Sequence, residues 1–227
     1  MLGNVPGNYL PWQAAPASMA RRRRSERRFY LGAKRALDLL VILAAAPVAL
    51  LVIGCLAAAV SLDGGRAFYG QRRLGKDGSV FMLWKLRSMI PDAEQRLEQH
   101  LAQDPAARKE WESTQKLRHD PRVTWLGQYL RKYSLDELPQ LWNVFLGQMS
   151  LVGPRPMFPE QRGLYPGTAY FDMRPGLTGL WQISERNRCS FAERAAYDTT
   201  YAGTMSLHTD LAILLKTVTV VVRGTGV

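Results

Sequence analysis

Two adjacent cations open the stretch Arg131-Lys132-Tyr133-Ser134-Leu135-Asp136-Glu137, and two adjacent carboxylates close it. Paired acids beside paired cations are what a metal–diphosphate site needs. The acids can hold Mg²⁺, which keeps several of its waters and bridges phosphate oxygens. One of them can also attack phosphorus to make an acyl phosphate, while cations and metal absorb charge on the group in transit. The same residues have a second reading. Ser134 to Glu137 has the spacing of a capping box, with Ser134 as cap and Glu137 reaching back. Acids in a first helical turn are expected from the macrodipole alone. The context favours the first reading, because a helix N-terminus gathers anions, phosphates above all.

Two further runs, residues 149–156 and 174–182, are rich in Arg, Pro and Gly and carry Arg155 and Arg174. Each reads as a rigid turn that brings a guanidinium to a fixed place, which suits anion binding. Other chemistries find no footing. The two cysteines, Cys55 and Cys189, form no Cys-x-x-Cys pair, and His100, His119 and His208 lack ligand spacing, so zinc is not expected. No P-loop, nucleophile elbow or dinucleotide glycine fingerprint is present.

The elements that must hold these groups follow from composition and charge. The chain has 227 residues, 47% hydrophobic and 22% charged, which fits one or two folded domains. Its net charge of +11 is concentrated at the front. Residues 1–37 hold eight Arg and Lys against one Glu, and the first twenty carry Pro and Gly without an apolar period. Residues 1–32 are therefore expected to be a disordered basic tail. Residues 39–62 follow with no charge at all. One straight helix of that length reaches roughly 36 Å, enough to span a hydrocarbon core of about 30 Å. Pro47 argues against a simple span, since it removes a backbone bond and clashes with the previous turn. It leaves arms that each fall short of the core thickness. Both flanks are basic, the far one through Arg66, Arg72, Arg73, Lys76, Lys85 and Arg87. The positive-inside rule is then obeyed at both ends only if the segment dips in, breaks at Pro47 and returns to the same face. An export signal is the weaker alternative: a faint twin-arginine pattern is present, but the apolar run exceeds a usual signal core.

Residues 68–71 and 80–84 read as strands joined by the turn Lys76-Asp77-Gly78-Ser79, a hairpin. Asp104 and Pro105 read as the cap and first position of a charged helix. Residues 207–222 read as an interfacial or core helix.

With these motifs in view, the chain resembles the bacterial sugar transferases, the monotopic phosphoglycosyl transferase family, and among them the exopolysaccharide-initiating galactose phosphotransferases. The resemblance runs from about residue 33 to the end. It is carried by Lys34-Arg35-x-x-Asp38, Trp84-Lys85-Leu86-Arg87-Ser88-Met89, Asp120-Pro121-Arg122-Val123-Thr124, the dyad stretch, Val152-Gly153-Pro154-Arg155-Pro156 and residues 174–183. It implies an α+β, predominantly helical, monotopic membrane protein. Residues 33–64 would form a re-entrant helix-break-helix with its break at Pro47. Residues 65–227 would form a cytoplasmic catalytic domain with a short β-hairpin, at the cytoplasmic face of a bacterial inner membrane. It implies transfer of a hexose-1-phosphate, galactose first, from a UDP-sugar to undecaprenyl phosphate with release of UMP, to begin an exopolysaccharide. Asp136 falls on the nucleophile, and Asp136 with Glu137 on the Mg²⁺ ligands. Lys85 and Arg131 fall near the transferred phosphate. Arg87, Arg155, Arg174 and Asp198 fall on substrate-binding positions. Ala46 and Glu185 depart from the family's usual Ser and Gly. A homodimer is compatible with the resemblance, and nucleic acid is not an expected partner. Glucose or an N-acetylated sugar is the alternative donor. A non-enzymatic membrane adaptor, its basic arm on anionic lipid, is the rival from another class. Lys34, Arg35 and Asp38 read as plain i,i+4 and i,i+3 helix pairs rather than as a catalytic part.

Overall fold

In the computed structural model, which describes residues 24–62, 64–114, 117, 120–184 and 191–223, the apolar stretch lies within one helix, α1 (Arg24–Ser61). It begins at Arg24, ahead of the expected start at residue 33, so the basic run is partly helical rather than all tail. Helical structure also continues through Pro47, where a break was expected. A proline removes a single backbone bond, and the turns on either side keep theirs. Only 6% of the most apolar window of α1 is buried, and Leu40, Leu43, Val48, Leu50 and Leu51 are all exposed. A helix this greasy and this bare suits lipid rather than water.

The described residues are mostly helical, with two small sheets. β1 (Phe68–Leu74) and β2 (Val80–Leu86) pair as the expected hairpin. The turn between them is closed by Gly75 N–H donating to Ser79 O at 2.6 Å. Next come α2 (Ala93–Gln103), α3 (Pro105–Thr114), α4 (Trp125–Lys132) and α5 (Gln140–Phe145). The expected cap holds: Asp104 Oδ1 accepts from Ala106 N and Ala107 N at 2.8 and 3.0 Å. β3 (Ser150–Val152) and β4 (Gly176–Thr178) form a short parallel ladder, Ser150 opposite Gly176 and Val152 opposite Thr178. The chain ends with α6 (Arg194–Thr204) and α7 (Leu207–Val222), the latter on the bounds read from the sequence.

Two compact units are distinguishable. One holds α1 up to Ile42, Arg72–Phe81 and Val144–Thr217; the other holds Leu43–Gln71, Met82–Asn143 and the chain from Val218 on. The first has a core of Leu74, Met157, Tyr165, Tyr170 and Ala195, with Phe171 and Phe191 packed against it. The second has a core of Val60, Leu86 and Leu130, joined by Leu56, Ala57, Leu126 and Leu135.

Two glycines are dictated by close approach. A Cβ on Gly176 would lie 2.1 Å from Gly153 N, so β4 can reach β3 only without one. A Cβ on Gly127 would lie 2.0 Å from the Ser88 carbonyl oxygen, which also accepts from Thr124 N at 3.1 Å. Gly127→Ala must therefore push α4 off the segment after β2. Overpacking of this kind costs about 1–3 kcal/mol, which thermal unfolding would show as a lowered midpoint; an unchanged midpoint would mean that the contact gives way freely.

Candidate active site

β2 delivers Lys85 to the acidic pair. Its Nζ lies 2.8 Å from Glu137 Oε1 and 3.3 Å from Asp136 Oδ2. Both acids sit in a single 3-10 turn, Leu135–Glu137, and Asp136 is buried. The capping box is absent. Ser134 has φ 55° and ψ 25°, left-handed rather than the extended backbone that a cap needs, and its side chain caps nothing. Glu137 turns to Lys85 instead. Burial pushes the Asp136 carboxyl above the ordinary carboxylate range; the Lys85 ammonium opposes this, and the neighbouring Glu137 adds to it.

Arg131, near the end of α4, is held from the side: its Nε donates to Ser88 Oγ at 2.9 Å. Burial lowers the guanidinium from its ordinary value, and the charges of Asp136 and Asp120 work against that. Asp120 is itself doubly engaged by Arg122, at 2.8 and 2.6 Å. Lys132, which the sequence pairs with Arg131, lies over the Tyr133 ring. Asn143 had no sequence signal. It is fully buried, donates from Nδ2 to Met82 O at 2.7 Å and accepts from Trp84 N at 3.1 Å, so it fixes the strand one residue before Lys85.

Arg87 is held by backbone oxygens. Its guanidinium donates to Arg66 O at 2.7 Å, Met89 O at 3.0 Å and Val60 O at 2.9 Å. Side chains alternate along a strand, so Lys85 and Arg87 start from the same face. Lys85 meets carboxylates, whereas Arg87 is drawn to three backbone carbonyls. That geometry clamps the end of α1.

The other expected groups belong to the other unit. Arg155 and Asp198 line one small recess of about 10 Å³, the room of a single water, together with Tyr165, Trp181 and Arg194. The Arg194 guanidinium stacks on the Trp181 ring at 4.1 Å, with Arg155 at 5.8 Å. Asp198 Oδ2 accepts from Tyr165 O–H at 2.7 Å. Arg174 does not join them and lines a separate cavity beside α1. Tyr165 and Arg194 escaped the sequence reading, since neither sits in a motif of its own. Glu185, the expected departure from the family pattern, lies outside the described residues.

Among the described residues no cluster of three or more His, Cys, Asp and Glu could hold a metal. The two carboxylates of the dyad still fit Mg²⁺, which commonly takes one or two protein carboxylates and fills its shell with waters and substrate phosphates.

The model of the bacterial sugar transferase family matches residues 29–224. The chain belongs to that family. A UDP-galactose-lipid carrier transferase of Erwinia amylovora is 46% identical over 195 residues, which cover 85% of this chain and 41% of that protein. The exopolysaccharide production protein ExoY of Sinorhizobium fredii is 46% identical over 199 residues, 85% of this chain and 87% of its own length. An undecaprenyl-phosphate galactose phosphotransferase of Salmonella typhimurium is 47% identical over 169 residues, 74% of this chain and 36% of that protein. The chain thus spans less than half of two of these relatives and most of the third. Membership of a transferase family sets aside the adaptor reading.

Asp198 gives this sugar transferase a pH signature. Burial pushes its carboxyl from 3.8 up to about 7, while the Tyr165 hydrogen bond and the Arg194 charge pull the other way. Between those two values the folded protein keeps a proton that the unfolded chain has released, so stability is greater at the acid end and declines as pH rises through the window. Asp198→Asn removes that slope. Unfolding midpoints taken from about pH 4 to about pH 7 should fall for the wild type relative to the variant, and parallel curves would contradict the assignment.

Proposed function

We propose that this chain transfers a hexose-1-phosphate, galactose-1-phosphate first, from a UDP-sugar to undecaprenyl phosphate, releasing UMP and beginning an exopolysaccharide. The observation that carries the reading is the Lys85 ammonium set between two carboxylates, one of them buried. The names of the relatives supply the donor and the acceptor.

The chemistry has two steps. An Asp136 carboxylate oxygen attacks the β-phosphorus of the UDP-sugar. The bond from that phosphorus to the bridging oxygen breaks, and its electron pair leaves with UMP. The sugar phosphate is now an acyl phosphate on Asp136. A phosphate oxygen of undecaprenyl phosphate attacks the same phosphorus and forms the diphosphate, and the Asp136 carboxylate is returned. Lys85 works against the upward push of burial on the Asp136 carboxyl and offsets charge on the passing group. Arg131 adds a second cation, oriented by Ser88. Asp136 and Glu137 would hold Mg²⁺, which supplies charge neutralisation at the diphosphate.

The membrane reading is part of the proposal. In this reading α1 enters the cytoplasmic leaflet of the inner membrane and returns to the same face by bending at Pro47 with its helical structure kept, so that a lipid acceptor and a soluble donor meet at one interface. Basic residues on both flanks favour it. The test is a panel of UDP-sugars with undecaprenyl phosphate, scored by UMP release. UDP-galactose should lead; turnover confined to UDP-glucose or an N-acetylated donor would replace the sugar, and none with any donor would reject the reaction.

A further inference from the structure

A cavity of about 270 Å³ opens beside the N-terminal part of α1, within a single unit. That is many times the room a single water needs, and enough for a headgroup phosphate. Four cations line it: Lys34, Arg35, Lys76 and Arg174. Two are fixed by protein partners. Lys34 pairs with Asp210, and Arg35 donates to Val144 O and Phe145 O at 2.6 and 2.8 Å. The side chains of Lys76 and Arg174 are exposed and have no hydrogen-bond or ion-pair partner among the described residues. Two carboxylates share the lining. Asp38 is taken up by Ser150 Oγ at 2.8 Å and Leu151 N at 3.0 Å, which leaves exposed Asp172 as the counter-charge to two unengaged cations.

The place of the cavity on α1 says what the anion is attached to. Its wall uses residues 31–38, and the uncharged stretch begins at Leu39. Phe29 is 78% exposed and Leu40 66% exposed, so apolar surface flanks the cations along the helix. A cationic cavity bordered by bare apolar helix matches a ligand with an anionic head and an apolar tail. We propose that this cavity seats the phosphate of an anionic bilayer lipid, whose acyl chains lie along the exposed side of α1. The assignment does not depend on the transferase reading, and its test reads lipid retention rather than turnover.

The full chain would be purified in detergent, supplied with phosphatidylglycerol or phosphatidylcholine, and examined by native mass spectrometry. One phosphatidylglycerol should stay bound per chain, phosphatidylcholine should not, and millimolar inorganic phosphate should leave the lipid in place. Lys76→Gln/Arg174→Gln should lower retention about tenfold and Lys76→Gln alone about threefold; both change exposed side chains, and circular dichroism would check the fold. Equal retention of the two lipids, or undiminished retention in both variants, would overturn the proposal. Displacement by inorganic phosphate would overturn it as well, by assigning the cavity to a soluble anion.

Discussion

Asp136→Asn is expected to lower UMP release by at least about a thousandfold, because a carboxamide is no nucleophile toward phosphorus. The substitution keeps size and shape. Lys85 retains its 2.8 Å contact with Glu137, so the turn should hold and the unfolding midpoint should move little. Wild-type protein given UDP-sugar alone should gain the mass of a hexose phosphate, whereas the variant should gain none. An adduct on the variant, or full turnover, would move the nucleophile elsewhere. Lys85 offers a second readout. Its charge and its hydrogen bond lower the pKa of Asp136 against burial. Lys85→Met should therefore raise that pKa and shift the acid limb of the rate profile to higher pH, beyond any fall in maximum rate.

The largest effect on stability is expected at Asp210, which is only 1% exposed. Its carboxylate accepts from Tyr201 O–H at 2.6 Å, Lys34 Nζ at 2.8 Å and Tyr30 O–H at 2.9 Å. Asp210→Ala leaves the Lys34 ammonium buried without its counter-ion, and breaking such a pair costs about 3–5 kcal/mol. For a chain of this size that lowers the unfolding midpoint by roughly 10 °C. Lys34→Met/Asp210→Leu should recover part of the loss, since it removes the charge together with its partner. A midpoint for Asp210→Ala within a degree or two of wild type would show that the network holds nothing.

What the sequence made legible was local. The hairpin, the Asp104 cap and the bounds of α7 rest on neighbours a few residues apart, and all three stand in the structure. The capping box failed for a reason that lies outside its own stretch. Glu137 is drawn away by a lysine from β2, and Ser134 takes a left-handed backbone instead of a cap conformation. Arg155 and Arg174 looked alike as guanidiniums in Pro- and Gly-rich turns. Their backbones run close, with Gly153 against the Arg174 carbonyl and Pro154 O accepting from Gly176 N, yet Arg155 lines the recess with Asp198 whereas Arg174 lines the cavity beside α1. No motif could have revealed that. Lys34, Arg35 and Asp38, which helix spacing alone would explain, each reach partners more than a hundred positions away.

The buried pair also sets an order of events during synthesis. Lys34 and Asp210 are separated by 176 positions, so the ribosome releases the lysine long before its acid exists. The lysine stays hydrated until α7 emerges, and closing so long a loop comes late. A message truncated ahead of α7 would yield a chain whose first helix can still be held through Arg35, Asp38 and Val60 but lacks the acid that Lys34 pairs with.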